Sequence, residues 1–156
     1  MLTATAMAGT TNDELCAKET NVDVEISLGD TIDEEEVLEL YRANEWSSAE
    51  KPAQLLAALR GSHALVTARV AGELVDLGNA ISDGHLVAYF PHMLVLPRLH
   101  GHGIGRRMMQ AFLGKYASFH QLMLTADGRA VEFHKELGFE RAGHTEPMWI
   151  YAGKEH

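Results

Sequence analysis

The stretch Leu96-Pro-Arg-Leu-His-Gly-His-Gly-Ile-Gly105 decides the fold of this chain, and Arg106 and Arg107 follow it directly. Apolar, strand-like residues precede the stretch, and an apolar spacing typical of a helix follows it. The sequence therefore predicts a strand that turns through glycines into a helix, whose first backbone N–H groups lack acceptors within the helix. Such a helix start binds anions, and a pyrophosphate fits it best.

The composition indicates one soluble globular domain. The chain has 156 residues, of which 46% are hydrophobic and 22% are charged, and this length suits one core better than two. The formal net charge of −9 disfavours binding to nucleic acid and to anionic lipid. No segment reaches the ~18 consecutive apolar residues of a membrane span. Cys16 is the lone cysteine, so we expect a reducing, cytoplasmic location.

Local patterns divide the chain into a tail and one domain. Residues 1–20 show neither a helical nor a strand period, so we expect a disordered tail there and a single domain over residues 21–156. The capping-box spacing of Thr31 to Glu34 predicts a helix from about Ile32 to Asn44. A second helix is expected at 52–60, a third after Gly103 and a fourth after Asp127, which Gly138 ends. One strand is expected to end near Leu96, just before the glycine loop. Further strands are expected at 22–28, 63–70, 73–81, 121–125, 140–142 and 148–152.

This order of elements predicts the fold class α+β, with a mixed α/β sheet at the centre and helices on both of its faces. Antiparallel hairpins belong to its first half, and strand-to-helix crossovers surround the glycine loop. Pro91 lies inside the strand before the loop and cannot donate to a ladder, which predicts either a bulge there or a late start of the strand.

The glycine spacing does not fit the common nucleotide-binding loops. A dinucleotide GxGxxG motif would need glycine at 106, which is arginine here, and no Gly-Lys-Ser/Thr sequence is present for a triphosphate loop. The loop instead resembles the acyl-coenzyme A loop of the GNAT superfamily of N-acetyltransferases, in the residues Val95, Pro97, Gly101, Gly103, Ile104 and Gly105. Residues 130–139 resemble the second coenzyme-binding helix of that family.

The resemblance implies a GNAT-like fold and an N-acetyltransferase, an acyltransferase that uses acetyl-CoA as co-substrate. A primary amine of a small molecule, peptide or protein would attack the thioester directly in a ternary complex. The coenzyme would contact the end of the strand, with Leu94 at the thioester carbonyl, and then the loop and both helices, through Leu94, Val95, Leu96, His100, Gly101, His102, Gly103, Ile104, Gly105, Arg106, Asp127, Ala130, Phe133 and Lys135.

Two histidines and one tryptophan are the candidates for chemistry by the same resemblance. His134 stands where the family often has a tyrosine general acid, and an imidazolium with a pKa of ~6.5 could protonate the departing thiolate. The alternative is a helix histidine that only hydrogen-bonds the coenzyme. His92 is a candidate base, directly or through water, or else a surface histidine beside Pro91. Trp46 lines an amine pocket by cation–π contact or packs a corner between helices.

Other functions stay open on the sequence alone. A non-catalytic acyl-CoA-binding or regulatory module of the same fold is one, since His134 replaces the usual tyrosine and His100 the usual glutamine or arginine. A second is another phosphate-binding protein whose loop imitates the motif. His100 and His102 have no third ligand at recognisable spacing, so we expect no metal. A homodimer is left open, because no strong hydrophobic seam marks one.

Overall fold

A five-stranded sheet with the strand order β1-β2-β3-β4-β5 forms the centre of the protein. The structure is a computed structural model that describes residues 23–29 and 31–154, so the tail expected at 1–20 lies outside the described residues. The strands are β1 (Glu25–Leu28), β2 (Ala64–Val70), β3 (Glu73–Ser82), β4 (Val87–Val95) and β5 (Gln121–Met123). The helices are α1 (Glu34–Ala43), α2 (Pro52–Arg60), α3 (Ile104–Lys115) and α4 (Gly128–Lys135).

Strand pairing confirms the mixed sheet expected from the sequence. Strands β1 to β4 pair antiparallel, whereas β4 and β5 pair parallel. Side chains alternate between the two faces along each strand, so that Leu65 of β2 packs with α1 and α2 while Val66 packs with α3. The sheet thus lies between two hydrophobic clusters, which confirms helices on both faces.

Local signals fix most of the turns and helix ends. The turn at Ala71 and Gly72 has positive φ at both residues, +49° and +84°, as a tight hairpin between β2 and β3 requires. The register of β3 against β4 shifts between Asn79 and Ile81, opposite Pro91, which confirms the bulge. Gly138 has φ +95° just after α4, as its predicted role in ending that helix requires.

The start of the first helix differs from the expected one. Asp33, not Thr31, is its N-cap residue, because Oδ1 of Asp33 accepts the backbone N–H groups of Glu35 at 2.9 Å and Glu36 at 3.4 Å. An aspartate carboxylate at this position satisfies two of the free N–H groups and opposes the helix dipole. The helix is therefore Glu34–Ala43 rather than 32–44.

The two strands expected at 140–142 and 148–152 are absent from the described part of the chain, and this expectation was wrong. Apolar residues alternate along that segment, but they are not buried: Met148 is 94% exposed and Ile150 is 107% exposed. A strand needs a neighbouring edge for its backbone hydrogen bonds, and β5 offers only Gln121–Met123. Pro147 also lacks the N–H group that a ladder would use.

Candidate functional site

Strand β4 continues beyond the end of β5, and the resulting gap is the candidate site. The two strands pair over Val87–Tyr89 and Gln121–Met123, after which β4 runs on to Val95. The start of α3 adjoins this free edge together with α4. A Cβ placed on Gly105 would lie 3.5 Å from Cγ2 of Val95 and 3.6 Å from Cζ of Phe133, so this turn of α3 meets both β4 and α4.

The register of β3 and β4 decides which backbone donors face the gap. The N–H of Leu96 donates to Val75 O at 2.8 Å, so that residue faces β3. Hydrogen-bonded pairs alternate along an antiparallel ladder, and Leu94 opposite Leu77 therefore also faces β3. Met93 and Val95 point their N–H groups toward the free edge instead. The thioester contact at Leu94 stays a prediction, although the N–H groups that face the free edge belong to its two neighbours.

The glycine loop leaves the start of α3 open to a ligand. Gly101 and Gly103 have φ +81° and +74°, and no heavy atom would lie within 4 Å of a Cβ on either residue. No side chain caps the helix at Gly103, and the first helical hydrogen bond runs from Arg107 N–H to Gly103 O at 3.2 Å. The N–H groups of residues 104–106 therefore precede the ladder and can bind an anion.

Both loop histidines hold the loop together. His100 Nε2 lies 3.0 Å from Val95 O, so its N–H ties the loop to the free edge of β4. His102 Nδ1 lies 3.2 Å from Leu99 O and 3.1 Å from His100 O. A carbonyl oxygen can only accept a hydrogen bond, so His100 Nε2 and His102 Nδ1 must each carry a proton. These contacts stabilise the shape of the loop, and coenzyme binding by the two histidines stays a prediction.

The two arginines of the loop make different contacts. Arg106 forms an ion pair with Glu136, just after α4. Arg107 donates to Val24 O at 2.8 Å, beside β1, and so points away from the glycine loop. Arg106 is thus the one of the pair that stands at the junction of α3 and α4, where the sequence placed a coenzyme contact.

Helix α4 contributes further predicted coenzyme contacts. Asp127 is its N-cap residue but makes no side-chain capping bond to it. Phe133 packs against the start of α3, Ala130 is half-buried, and Lys135 pairs with Glu132 at 2.7 Å. The helix stands beside the gap, as the resemblance requires.

His134 is half-buried between two phenylalanines. Its ring centre lies 4.9 Å from that of Phe133 and 5.7 Å from that of Phe139. Its Nδ1 is buried and has no hydrogen-bond partner within residues 23–29 and 31–154. Burial lowers the pKa of His134, because the desolvated ring loses hydration of its charged form. The neutral imidazole therefore dominates at pH 7.

His92 forms an aromatic cluster with Tyr41 and Trp46 on the other face of the sheet. Nδ1 of His92 lies 2.6 Å from the Tyr41 hydroxyl, and its ring lies edge-on to Trp46 with the centres 5.0 Å apart. Trp46 also lines a cavity of about 500 Å³ with residues Arg42, Glu45, Ser47, Ala49, Glu50 and Lys154. The structure thus brings two predicted residues, His92 and Trp46, together beside a cavity.

Sequence reasoning missed three polar residues near the site. In the sequence, Tyr41 looks like an ordinary core position of an amphipathic helix. It is fully buried, but its hydroxyl forms a hydrogen bond with Nδ1 of His92. Asn79 is 4% exposed and lies directly opposite His92 in the sheet. Asp76 is fully buried opposite Val95, and burial raises its pKa to about 8. The alternation of side chains along β3 could have identified Asp76 and Asn79 as polar residues that point into the protein.

The described residues contain neither a candidate metal site nor a helix that could span a membrane. Over 23–29 and 31–154, no three His, Cys, Asp or Glu side chains are grouped so that they could hold a metal ion. None of the helices in the same part of the chain is both long and apolar enough to cross a membrane.

Comparisons with known proteins agree with this geometry. The family described as acetyltransferase (GNAT) domain matches residues 29–147. A GNAT-family acetyltransferase from Streptococcus pneumoniae is 27% identical, with a TM-score of 0.73, and the match covers 82% of this chain and 98% of that one. An acetyltransferase from Trypanosoma brucei shares the fold at 19% identity and a TM-score of 0.65, over 83% of this chain and 100% of the other.

A third solved structure of the same fold is an aminoglycoside N-acetyltransferase in complex with CoA. It is 16% identical, with a TM-score of 0.61, and the match covers 83% of this chain and 93% of that one. No curated protein matches the chain. The family match spans most of the sequence, and the solved structures share the fold over more than four fifths of the chain. The chain therefore belongs to the GNAT family of acetyltransferases.

Proposed function

We propose that the protein transfers the acetyl group of acetyl-CoA to a primary amine, by direct attack of the amine in a ternary complex. One observation carries the proposal: the open N-terminus of α3 adjoins the free edge of β4. A carrier with a pyrophosphate at one end and a thioester at the other matches these two sets of backbone donors. The similar aminoglycoside acetyltransferase that binds CoA supports the choice of carrier.

The coenzyme half of the site consists of the loop and the two helices beside it. Backbone N–H groups of residues 104–106 bind the pyrophosphate, and the glycines at 101 and 103 leave room for its close approach. Arg106, which pairs with Glu136, adds a positive charge at the same end of α3. Met93 and Val95 direct N–H groups at the thioester arm.

The leaving thiolate needs a proton, and His134 is the proposed donor. In the resting protein burial lowers its pKa, so the ring is neutral at pH 7. Negative charge that develops on a nearby sulfur favours the charged imidazolium and raises the pKa again. His134 would therefore take up a proton from solvent as the reaction begins and give it to the thiolate.

The acceptor half lies across the sheet, at Trp46 and the cavity beside it. The indole face can bind a cationic amine or its neighbouring charge, and Glu45 provides negative charge at the cavity wall, where Glu50 pairs with Lys154 at 3.0 Å. Because Trp46 also contacts His92, an amine bound there lies next to the strand that holds the thioester. Small-molecule, peptide and protein amines all satisfy this description.

Two measurements on the full chain test the proposal. Calorimetry should show binding of acetyl-CoA and CoA, and no binding of NAD or ATP at the same concentration. Release of free thiol should then follow when acetyl-CoA is mixed with a panel of primary amines, and mass spectrometry should show the acetylated amine. If neither coenzyme form binds at millimolar concentration, the proposal is wrong.

One observation favours a second function, a non-catalytic acyl-CoA-binding module of the same fold. Because burial lowers the pKa of His134, a smaller fraction of its ring carries the acidic proton at pH 7 than in an exposed histidine. Binding of acetyl-CoA without turnover across a broad amine panel would select this alternative.

A further inference from the structure

We propose that Tyr41 is a positioning residue of the transfer reaction, because its hydroxyl donates to Nδ1 of His92 and holds the imidazole with its proton on Nε2. His92 then meets the reacting groups as an N–H donor and not as a base. The kinetic consequences of this inference rest on the proposed acetyl transfer. The assignment of the tautomer does not, since it concerns the protein alone.

The end of α1 holds the three rings in place. The backbone N–H of Trp46 donates to Tyr41 O at 3.0 Å, and Glu45 between them has φ +60°, so the chain folds back at the helix end. This brings the indole to 6.0 Å from the Tyr41 ring and 5.0 Å from the His92 ring, edge-on in both cases. The phenol and the imidazole are therefore fixed by packing on both sides.

The Tyr41 hydroxyl determines the direction of its hydrogen bond to His92. Tyr41 has no solvent exposure, and Nδ1 of His92 at 2.6 Å is the partner of its hydroxyl among the described residues. If Nδ1 carried the proton and donated, the phenol proton would be buried without any acceptor, which costs its full desolvation free energy. Burial also raises the pKa of Tyr41, so the phenol keeps its proton. The phenol must donate, and Nδ1 must accept.

This tautomer changes the role of His92. A base would need a lone pair on Nε2, where the proposed tautomer carries a proton. During transfer the N–C bond forms and the C–S bond breaks with its electron pair on sulfur. The proton of the attacking amine then goes to water, while the thiolate takes its proton from His134. His92 donates a hydrogen bond at the reacting centre.

The tautomer can be measured directly in the protein without ligands. Nitrogen-15 NMR at pH 8 should show His92 protonated on Nε2 with Nδ1 as a hydrogen-bond acceptor, and Tyr41→Phe should remove the acceptor signature at Nδ1. Tyr116→Phe is the matched control, because Tyr116 also bonds a histidine, His63 at 2.8 Å, on the opposite face of the sheet. It should leave the His92 signals unchanged. A proton on Nδ1 in the unmodified protein would overturn the inference, whether or not the protein transfers acetyl groups.

Kinetics then test the role. Tyr41→Phe should lower kcat about tenfold, the effect of one lost hydrogen bond, and leave the KM for acetyl-CoA unchanged. His92→Gln keeps an N–H donor and should be about tenfold more active than His92→Leu. In the His92→Leu background, Tyr41→Phe should have no further effect on kcat. Equal loss in both His92 variants would mean that His92 is a base, and the inference would be wrong.

Discussion

At the scale of single residues, Asp76 departs furthest from its ordinary chemistry. Its carboxyl group is fully buried, and neither oxygen has a hydrogen-bond partner in the part of the chain that the structure describes. Desolvation raises its pKa from 3.8 to about 8, although the neighbouring Leu77 backbone lowers it in part. The folded protein therefore holds this group as a neutral acid at pH 7, opposite Val95 in the sheet.

Asp76→Asn should change how stability depends on pH. Between its unfolded pKa near 3.8 and its folded pKa of about 8, the folded state binds one more proton than the unfolded state. The free energy of unfolding must then fall as the pH rises through this window, by about 1.4 kcal/mol per unit. Denaturant titrations should show that Asp76→Asn removes this slope, a relative gain of about 4 kcal/mol between pH 5 and pH 8.

Asp83 provides the control for that experiment. It is exposed, and three backbone N–H groups, those of His85, Leu86 and Val87, lower its pKa to about 2. It is therefore ionised in both states above pH 5, and Asp83→Asn should keep the slope of the unmodified protein. If Asp76→Asn and the unmodified protein show the same slope, Asp76 is not the buried acid described.

His134→Ala tests the proposed acid at the same scale. Loss of a general acid should lower kcat by about a hundredfold or more, while the affinity for acetyl-CoA changes little. Steady-state kinetics and calorimetry measure the two quantities separately. His120→Ala, at an exposed position beside β5, should leave both unchanged. An unaltered kcat in His134→Ala would remove the role.

At the scale of elements, the start of α3 combines a left-handed backbone conformation with N–H groups that no side chain caps. Gly103 has φ +74° at the N-cap of the helix, a conformation that costs other residues about 1–2 kcal/mol. The sequence predicted this loop, because glycine spacing and helical periodicity are local properties. It did not predict which β4 residues face the gap, since that depends on the register against β3.

Gly103→Ala should weaken both the fold and coenzyme binding. The strained backbone should lower the free energy of unfolding by about 1–2 kcal/mol, and displaced N–H groups should raise the Kd for CoA about tenfold. Gly114→Ala is the matched control in the same helix, with open space around its Cβ and no positive φ. It should stabilise the protein by up to about 1 kcal/mol and leave the Kd unchanged. Equal Kd values in the two variants would argue against anion binding at this helix start.

At the scale of the whole molecule, one sheet joins the two hydrophobic clusters. Neighbouring residues such as Leu65 and Val66 belong to different clusters, so neither cluster can lose its packing without disturbing the strands of the other. The proposed acceptor side and the proposed coenzyme side lie on opposite faces of the same sheet. The protein should therefore unfold as one cooperative unit.

Substitutions on each face test this cooperativity. Leu59→Ala on the α2 side and Met108→Ala on the α3 side, at positions 1% and 0% exposed, should each cost about 2–5 kcal/mol. Both should move a single transition, with circular dichroism and tryptophan fluorescence in agreement. Ile81→Ala, at a 56% exposed position, should change the free energy by less than about 0.5 kcal/mol. Two separate transitions in either core variant would contradict a single unit.

The sequence alone determined the mixed sheet, the hairpin at Ala71 and Gly72, the bulge at Pro91 and the glycine loop before α3. Each depends on side-chain periodicity or on backbone preferences that act over a few residues. Only the tertiary structure decided that Tyr41 meets His92, 51 residues away, and that Asp76 is buried without a partner. It also decided that residues 140–152 form no strand. These features depend on which strand edges and faces come together, and a local sequence pattern does not determine contacts between residues that lie far apart in the chain.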